Sequence, residues 1–297
     1  MDISQIDVFT TEPLTGNPAG IIREASDLTE KQMQAIAREL AVSETAFLLP
    51  SEVADYRIRY FTPTTEVELC GHATIGAMAL LYKKDHISTG TYSLDTIGGQ
   101  IEVSVEDNGT VWMEQEPPEV TPVDVSYERI ASVLNMKEIA LTEMDTDLQP
   151  AIASTGLPFL ILPVTYLDQL GNANPDDEAV EELCEEYDAK GIYAFTFDTL
   201  EADSTLHGRC FVSPVGITED PVTGTASGAC GGYLEEMDVF DTFPETLKFE
   251  QGHFIDRPGI VQVRVDSTVS VGGKAIQVID GSMSIPETTT EDIIEPS

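Results

Sequence analysis

Positive charge is what this sequence has least of. Its 297 residues carry 15 Lys and Arg against 53 Asp and Glu, a formal net charge of −38. A surface of that sign repels nucleic acid and anionic membranes, so both are poor partners. Self-repulsion on this scale destabilises a compact state in dilute buffer. Molar salt shortens the screening length to about 3 Å and lifts most of that cost. Few lysines, with plentiful Ala, Val, Thr and acidic residues, fit a salt-loaded cytosol, and a halophilic source is expected. Cysteine is scarce too. Cys70, Cys184, Cys210 and Cys230 show neither metal-ligand spacing nor a disulfide framework. No apolar run approaches membrane-spanning length. The stretch from Met1 to Phe9 reads as a strand rather than a leader. A soluble cytoplasmic protein is the expectation.

What is present is organised around one stretch, from Phe61 to Gly76. It reads as the end of a strand (Tyr56 to Phe61), a turn, and a helix from about Gly71 to Tyr82. Ala73, Ile75, Ala77, Met78, Ala79, Leu80 and Leu81 cover that helix almost all round, which makes it a buried one. Cys70, Gly71 and His72 stand at its N-terminus, where free N–H groups and the helix dipole favour a bound anion.

The stretch has an echo. Arg59-Tyr60-Phe61-Thr62-Pro63 is answered by Arg209-Cys210-Phe211-Val212-Ser213-Pro214, and Cys70-Gly71-His72-Ala73 by Thr223-Gly224-Thr225-Ala226. The second helix, Ala226 to Glu236, is again small and apolar. Alternating strands led by Gly99 and Gly259 follow in the same order. Strand, turn, buried helix and alternating strand in both halves indicate an internal duplication. Two lobes are expected, at 1–118 and 119–285, with an acidic tail at 286–297 that has almost nothing to bury and is read as disordered. The last strand, Ala275 to Asp280, is free to return to the first lobe. Small-ligand sites favour the crevice between domains, where two helix N-termini would clamp a carboxylate.

The remaining signals are local. Thr15 to Gly20 is a turn cluster, with Gly16, Asn17 and Gly20 as turn residues. Thr29 and Gln32 have the form of a capping box, and Met33, Ile36, Ala37 and Leu40 recur at helical spacing. Ala46 to Leu49 is an apolar strand. Asp107-Asn108-Gly109 is a hairpin turn, and Pro117, Pro118 and Pro122 mark the linker between halves. Asp176 to Tyr187 is an acidic amphipathic helix.

Several residues can carry chemistry. Cys70 at a helix N-terminus is a candidate base, and two thiols flanking one carbon would make a two-base racemase. The echo puts Thr223 where the second thiol belongs, so a small residue at a tight helix start is the better account of Cys70. His72 is expected as a neutral donor or acceptor, because the dipole disfavours imidazolium there; a structural histidine is the plain alternative. Asp220 precedes Pro221 and either forms the turn or orients His72 across the cleft. Glu44 sits between a helix end and an apolar strand and either moves protons or is solvated. Gly71, Gly224 and Thr225 would offer N–H and hydroxyl donors to a carboxylate.

Gly16-Asn17-Pro18, Ser43-Glu44-Thr45, Phe61-Thr62-Pro63, Glu68-Leu69-Cys70-Gly71-His72-Ala73-Thr74, Glu219-Asp220-Pro221-Val222-Thr223-Gly224 and Gln251-Gly252 together resemble the phenazine biosynthesis PhzF-like isomerase family. The resemblance runs from residue 1 to about 285. It implies an α+β, diaminopimelate epimerase-like fold, with two pseudo-symmetric lobes, each a curved, mostly antiparallel sheet around a central helix. It further implies a homodimer, no cofactor, no metal, and a small carboxylate substrate. In the family's best-understood member a glutamate shuttles a proton between two carbons of a dihydro-hydroxyanthranilate. By motif match that glutamate is Glu44, with His72 and Asp220 as its polar partners. Gly71, Ala73, Gly224 and Thr225 fall at positions that hold the substrate carboxylate or lie beside it. Thr225 departs from the serine common in the family; it keeps the hydroxyl and adds a methyl. Two other readings stay open: an amino-acid racemase or epimerase using Cys70, and a small-molecule binding protein on the same scaffold.

Overall fold

The computed structural model describes residues 1–142, 148–213 and 217–286. Pro214, the counterpart of Pro63, and the tail after Pro286 lie outside them. The first half contributes β1 (Asp2–Val8), β2 (Asn17–Ile22), α1 (Glu30–Leu40), β3 (Glu44–Leu49), β4 (Tyr56–Phe61), β5 (Glu66–Val67), α2 (Gly71–Lys83), β6 (Gly90–Thr96), β7 (Gly99–Val105) and β8 (Val111–Gln115). The second opens with β9 (Glu119–Pro122), α3 (Tyr127–Val133), α4 (Ile139–Thr142), β10 (Ala151–Ser154), β11 (Pro158–Pro163), α5 (Leu167–Gly171), α6 (Asp177–Glu186) and β12 (Ile192–Thr196). It continues with β13 (Leu206–Phe211), β14 (Glu219–Asp220), α7 (Gly224–Glu236), β15 (Leu247–Gln251), β16 (Gly259–Val265), β17 (Val269–Gly273) and β18 (Ala275–Ser282).

The duplication is written in the strand pairings. One sheet runs β18-β1-β2-β3-β4-β6-β7-β8, and its neighbours pair antiparallel, antiparallel, parallel, antiparallel, parallel, antiparallel, antiparallel. The other runs β9-β10-β11-β12-β13-β15-β16-β17 with the same series of signs. The short β5 and β14 hang from β4 and β13 at matching places. Antiparallel pairing of β8 with β17 joins the two sheets. Each sheet curls round its own helix. Both edge strands of the first, β18 and β8, touch α2, and both edge strands of the second, β9 and β17, touch α7.

One strand crosses between the halves. β18 follows β17 yet pairs with β1 in the first sheet. β9 opens the second half and pairs with β10 at the edge of the second sheet. The prolines expected to mark a linker therefore belong partly to structure, since Pro122 ends β9 opposite Ala151. An edge strand tolerates proline because its outward N–H has no ladder partner to lose.

Local sequence explains the elements that position the site. Thr29 and Gln32 close a full capping box on α1, and Met33, Ile36 and Ala37 are its buried face. The helix stops at Ala41 in the left-handed region, φ 52°. That stop delivers Glu44 as the first residue of β3. Helix α2 is buried from Ala73 to Leu81. Gly76 in its middle costs about 1 kcal/mol against Ala in helix propensity. The compensation is close approach to β1, since an added Cβ would lie 3.0 Å from a Val8 methyl. Outside the sheets, α1 packs on the first lobe and the short helices α3 to α6 on the second, each over its own apolar cluster.

The Thr15 to Gly20 cluster is a turn only at its start. Gly16 takes φ +63°, but Asn17 and Gly20 lie inside β2, paired with Val8 and Gln5. Turn-type composition is overridden here by a fixed strand register.

Candidate active site

The first turns of α2 and α7 face each other. A Cβ placed on Gly71 would lie 3.8 Å from Thr225 Oγ1. Their N-cap residues, Cys70 and Thr223, occupy equivalent places, and neither makes a side-chain cap hydrogen bond. The first bonds of each helix start one residue later than the first turn: Thr74 N–H donates to Cys70 O and Ser227 N–H to Thr223 O. The N–H groups of Gly71, His72 and Ala73, and of Gly224, Thr225 and Ala226, thus have no partner within their helices. Two helix N-termini thus approach each other at equivalent places of the two lobes. Ala73 is fully buried.

His72 is the hub of the first lobe's side. Its Nε2 lies 3.4 Å from Glu44 Oε2 and 3.3 Å from Ser43 Oγ. Its Nδ1 lies 3.4 Å from Cys70 Sγ. Ser43 Oγ also reaches the Pro18 carbonyl at 3.3 Å. One proton arrangement satisfies all of these: the Ser43 hydroxyl donates to Pro18 O, Nε2–H donates toward Ser43 and Glu44, and the Cys70 thiol donates to Nδ1. The thiol itself is pushed well up, first by burial and then by the negative charge of Glu44, with Asp220 adding to it. Cys70 is a thiol here, not a thiolate. The Glu44 side chain is 22% exposed, shielded yet within reach of a ligand.

Asp220 supplies the other side. Its Oδ1 accepts from Asn17 Nδ2 at 3.0 Å and its Oδ2 accepts from the Thr223 hydroxyl. Gln251 Nε2 donates to the Asp220 carbonyl at 2.8 Å and to Thr223 Oγ1 at 3.1 Å, while Gln251 Oε1 accepts from Thr223 N–H. Burial pushes the Asp220 carboxyl up to about 6; the His72 ring opposes this, and the nearby Glu44 charge reinforces it. Among the described residues no hydrogen bond joins Asp220 to His72, so Asp220 acts on the imidazole through charge and not by orienting it directly.

Glu44 lies beside His72, Gly71 faces Thr225 and Asp220 is bonded to Thr223, while Ala73 and Gly224 are buried in the first turns of their helices. Three further residues join them. Ser43 anchors His72, Asn17 bridges Asp220 and the Val222 carbonyl, and Gln251 ties Asp220 to Thr223. Asn17 was concealed by its turn-like neighbours. Gln251 carried a signal in the following glycine. Gly252 has φ +84°, and a Cβ there would meet Arg257 O at 2.2 Å.

The two sides are not equivalent. The lobes share bidentate pairs, Arg59 with Glu66 and Arg209 with Glu219. In register, however, Thr45 stands opposite Phe61 of β4 and Ile192 opposite Phe211 of β13, so the counterpart of Glu44 is Gly191. Lobe two therefore has a glycine, with no side chain, where lobe one has its carboxylate. Glu44, Cys70 and His72 also form the one group among the described residues with metal-ligand geometry, their ligand atoms all lying within 4.8 Å of one another.

Known proteins agree with this architecture. The family model for phenazine biosynthesis-like proteins, PhzC-PhzF, matches residues 6–281. "Uncharacterized isomerase YfhB" of Bacillus subtilis is 36% identical over 272 residues, covering 89% of this chain and 90% of that protein. The crystal structure of a PhzF-family phenazine biosynthesis protein of Bacillus anthracis superposes with a TM-score of 0.88 at 34% identity, covering 96% of this chain and 99% of that one. A probable proline racemase of Agrobacterium radiobacter shares the fold alone, with a TM-score of 0.63 at 11% identity, over 96% of this chain and 93% of that one. Among the described residues no helix is long and apolar enough to cross a membrane. The chain belongs to the PhzC-PhzF family of phenazine biosynthesis-like proteins.

Proposed function

We propose that this protein is an isomerase that moves a proton between two carbons of a small carboxylate, with Glu44 as the single general acid/base. The observation that carries the reading is the one-sided cleft. Glu44 stands beside His72 in lobe one, and the matching position in lobe two is Gly191, which has no side chain. A substrate carboxylate would sit at the six first-turn N–H groups of α2 and α7, where the two dipoles add. Glu44 then takes a proton from a carbon held above it. The electron pair left behind moves along the substrate to a second carbon, and Glu44 returns the proton there on the same face. His72 Nε2–H, 3.4 Å from Glu44 Oε2, holds the carboxylate in place during the transfer. Asp220, braced by Asn17 and Thr223, lines the opposite wall.

A two-base racemase is the poorer reading. It needs a cysteine at both N-caps, one ionised to take a proton and the other protonated to return one on the opposite face. Cys70 is held as a thiol by burial, and Thr223 spends its hydroxyl on Asp220. A hydroxyl so far above neutral pH in basicity does not serve as a base.

The test is proton NMR in D₂O at high salt, with a panel of dihydro-hydroxyanthranilate, amino acids and small unsaturated carboxylates. Deuterium uptake or a migrated double bond is expected from the wild type. Glu44→Gln is expected to lower that rate by at least about 100-fold, the usual share of a general acid/base, with an unchanged fold by circular dichroism. Undiminished exchange in Glu44→Gln, with exchange lost in Cys70→Ser, would overturn the mechanism in favour of the racemase.

A further inference from the structure

The geometry points to a second role for the same cleft: we propose that Glu44, Cys70 and His72 bind a thiophilic divalent cation of the Zn²⁺ or Cd²⁺ class, and that the bound ion is an inhibitor and not a cofactor. Three chemically different donors, a carboxylate oxygen, a sulfur and an imidazole nitrogen, have ligand atoms within 4.8 Å of one another. His72 approaches Glu44 through Nε2 and Cys70 through Nδ1, each at 3.4 Å, and a single ring nitrogen lies within 4.8 Å of both ligand atoms. Tetrahedral zinc has bonds of about 2.3 Å to sulfur and about 2.0–2.2 Å to nitrogen or oxygen, which sets ligand atoms about 3–4 Å apart. Small side-chain rotations therefore suffice to close the site. A mixed oxygen, nitrogen and sulfur set selects zinc-like ions over Mg²⁺ or Ca²⁺, which take oxygen ligands.

The surroundings favour a cation. Glu44 brings a carboxylate to the site, and its side chain is partly exposed, so an incoming ion has access to it. On binding, the S–H bond breaks, the proton leaves to solvent, and sulfur donates its electron pair to the metal. His72 ligates through one ring nitrogen. The fourth position stays open to water, the arrangement of a reactive and exchangeable site rather than a closed structural one. The spacing of cysteines in the sequence could not reveal this site, because it uses only one cysteine. Inhibition follows because the ion occupies the Glu44 carboxylate. That part rests on Glu44 as the acid/base; the binding itself does not.

The experiment is a titration of the full chain with Cd²⁺ in concentrated sodium sulfate, since chloride complexes cadmium. A thiolate-to-cadmium charge-transfer band is expected to rise in the ultraviolet and stop at one equivalent, with one proton released per ion. Cys70→Ser is expected to lose the band. Glu44→Gln is expected to keep the band and bind at least about tenfold more weakly, the scale on which losing a supporting contact is felt at metal sites. Absence of the band in the wild type, or its survival in Cys70→Ser through Cys184, Cys210 or Cys230, would overturn the proposal. Should Cys70→Ser fail to fold, unchanged affinity in both Glu44→Gln and His72→Gln overturns it equally. Zn²⁺ is then expected to stop Glu44-dependent exchange, and EDTA to restore it. Stoichiometric Cd²⁺ binding without any substrate exchange would remove the isomerase reading and leave the metal site standing.

Discussion

Asp220 is a carboxyl held near neutrality by its surroundings. Its ordinary value is 3.8 and burial lifts it to about 6. The fold therefore prefers it protonated. Its stabilising contribution is fully present below the unfolded value and is lost as pH rises through about 6. At about 1.4 kcal/mol per pKa unit, on the order of 2–3 kcal/mol is at stake. Urea unfolding at fixed high salt is expected to show the wild type losing more stability between about pH 5 and pH 7 than Asp220→Asn does. Substrate exchange is expected to change over the same interval in the wild type and to lose that inflection in Asp220→Asn. An inflection that persists in the variant would assign the titration to another group. The hydrogen bonds from Asn17 and Thr223 oppose the effect of burial and limit the lift to about 6. A carboxyl at this value is ionised for most of the time at neutral pH, yet it gains a proton with modest acidification.

At the scale of elements, α7 depends on glycine where it meets other chain segments. A Cβ on Gly232 would lie 2.3 Å from the Pro118 Cβ. Gly232→Ala gains about 1 kcal/mol of helix propensity. Against it stands a clash with a rigid ring, and overpacking of this kind costs about 1–3 kcal/mol. The clash is expected to win, lowering the urea midpoint without changing the slope. A rise in the midpoint would show that the segment from Pro117 to Pro122 gives way easily. This segment also marks the limit of what could be read in advance. The buried helices, the capping box on Thr29 and the alternating strands β7 and β16 were legible, because their residues carry the period of the element. So was the pairing of Cys70 with Thr223 at two helix starts. Strand β9, with Pro122 at its end, and the Asn17 end of β2 carry composition that opposes their conformation. Neighbours in the sheet hold them there, and no local pattern shows which neighbours those are. Strands β15 and β17 alternate, but each is only five residues long, too short for the pattern to stand out. Gln251 at the end of β15 was visible only in the Gln251-Gly252 match; its amide is the brace between Asp220 and Thr223.

For the whole molecule the dominant quantity is the net charge of −38. We propose that the protein is adapted to a salt-rich interior. Its melting temperature is expected to be higher in about 3 M than in about 0.1 M KCl, because the screening length shrinks from about 10 Å to below 3 Å. Equal melting temperatures would remove the proposal. The sheets impose a further condition. The second lobe draws its strands from one unbroken stretch, β9 through β17. The first lobe ends on β18, beside β1. As the chain leaves the ribosome, the half made first is therefore the half finished last. The outer edge of β1 waits, with its N–H and C=O groups unpaired, until β18 has emerged, and an open edge of that kind invites wrong partners. A ribosome stalled short of Ala275 holds a nascent protein whose second lobe has all its strands and whose first does not.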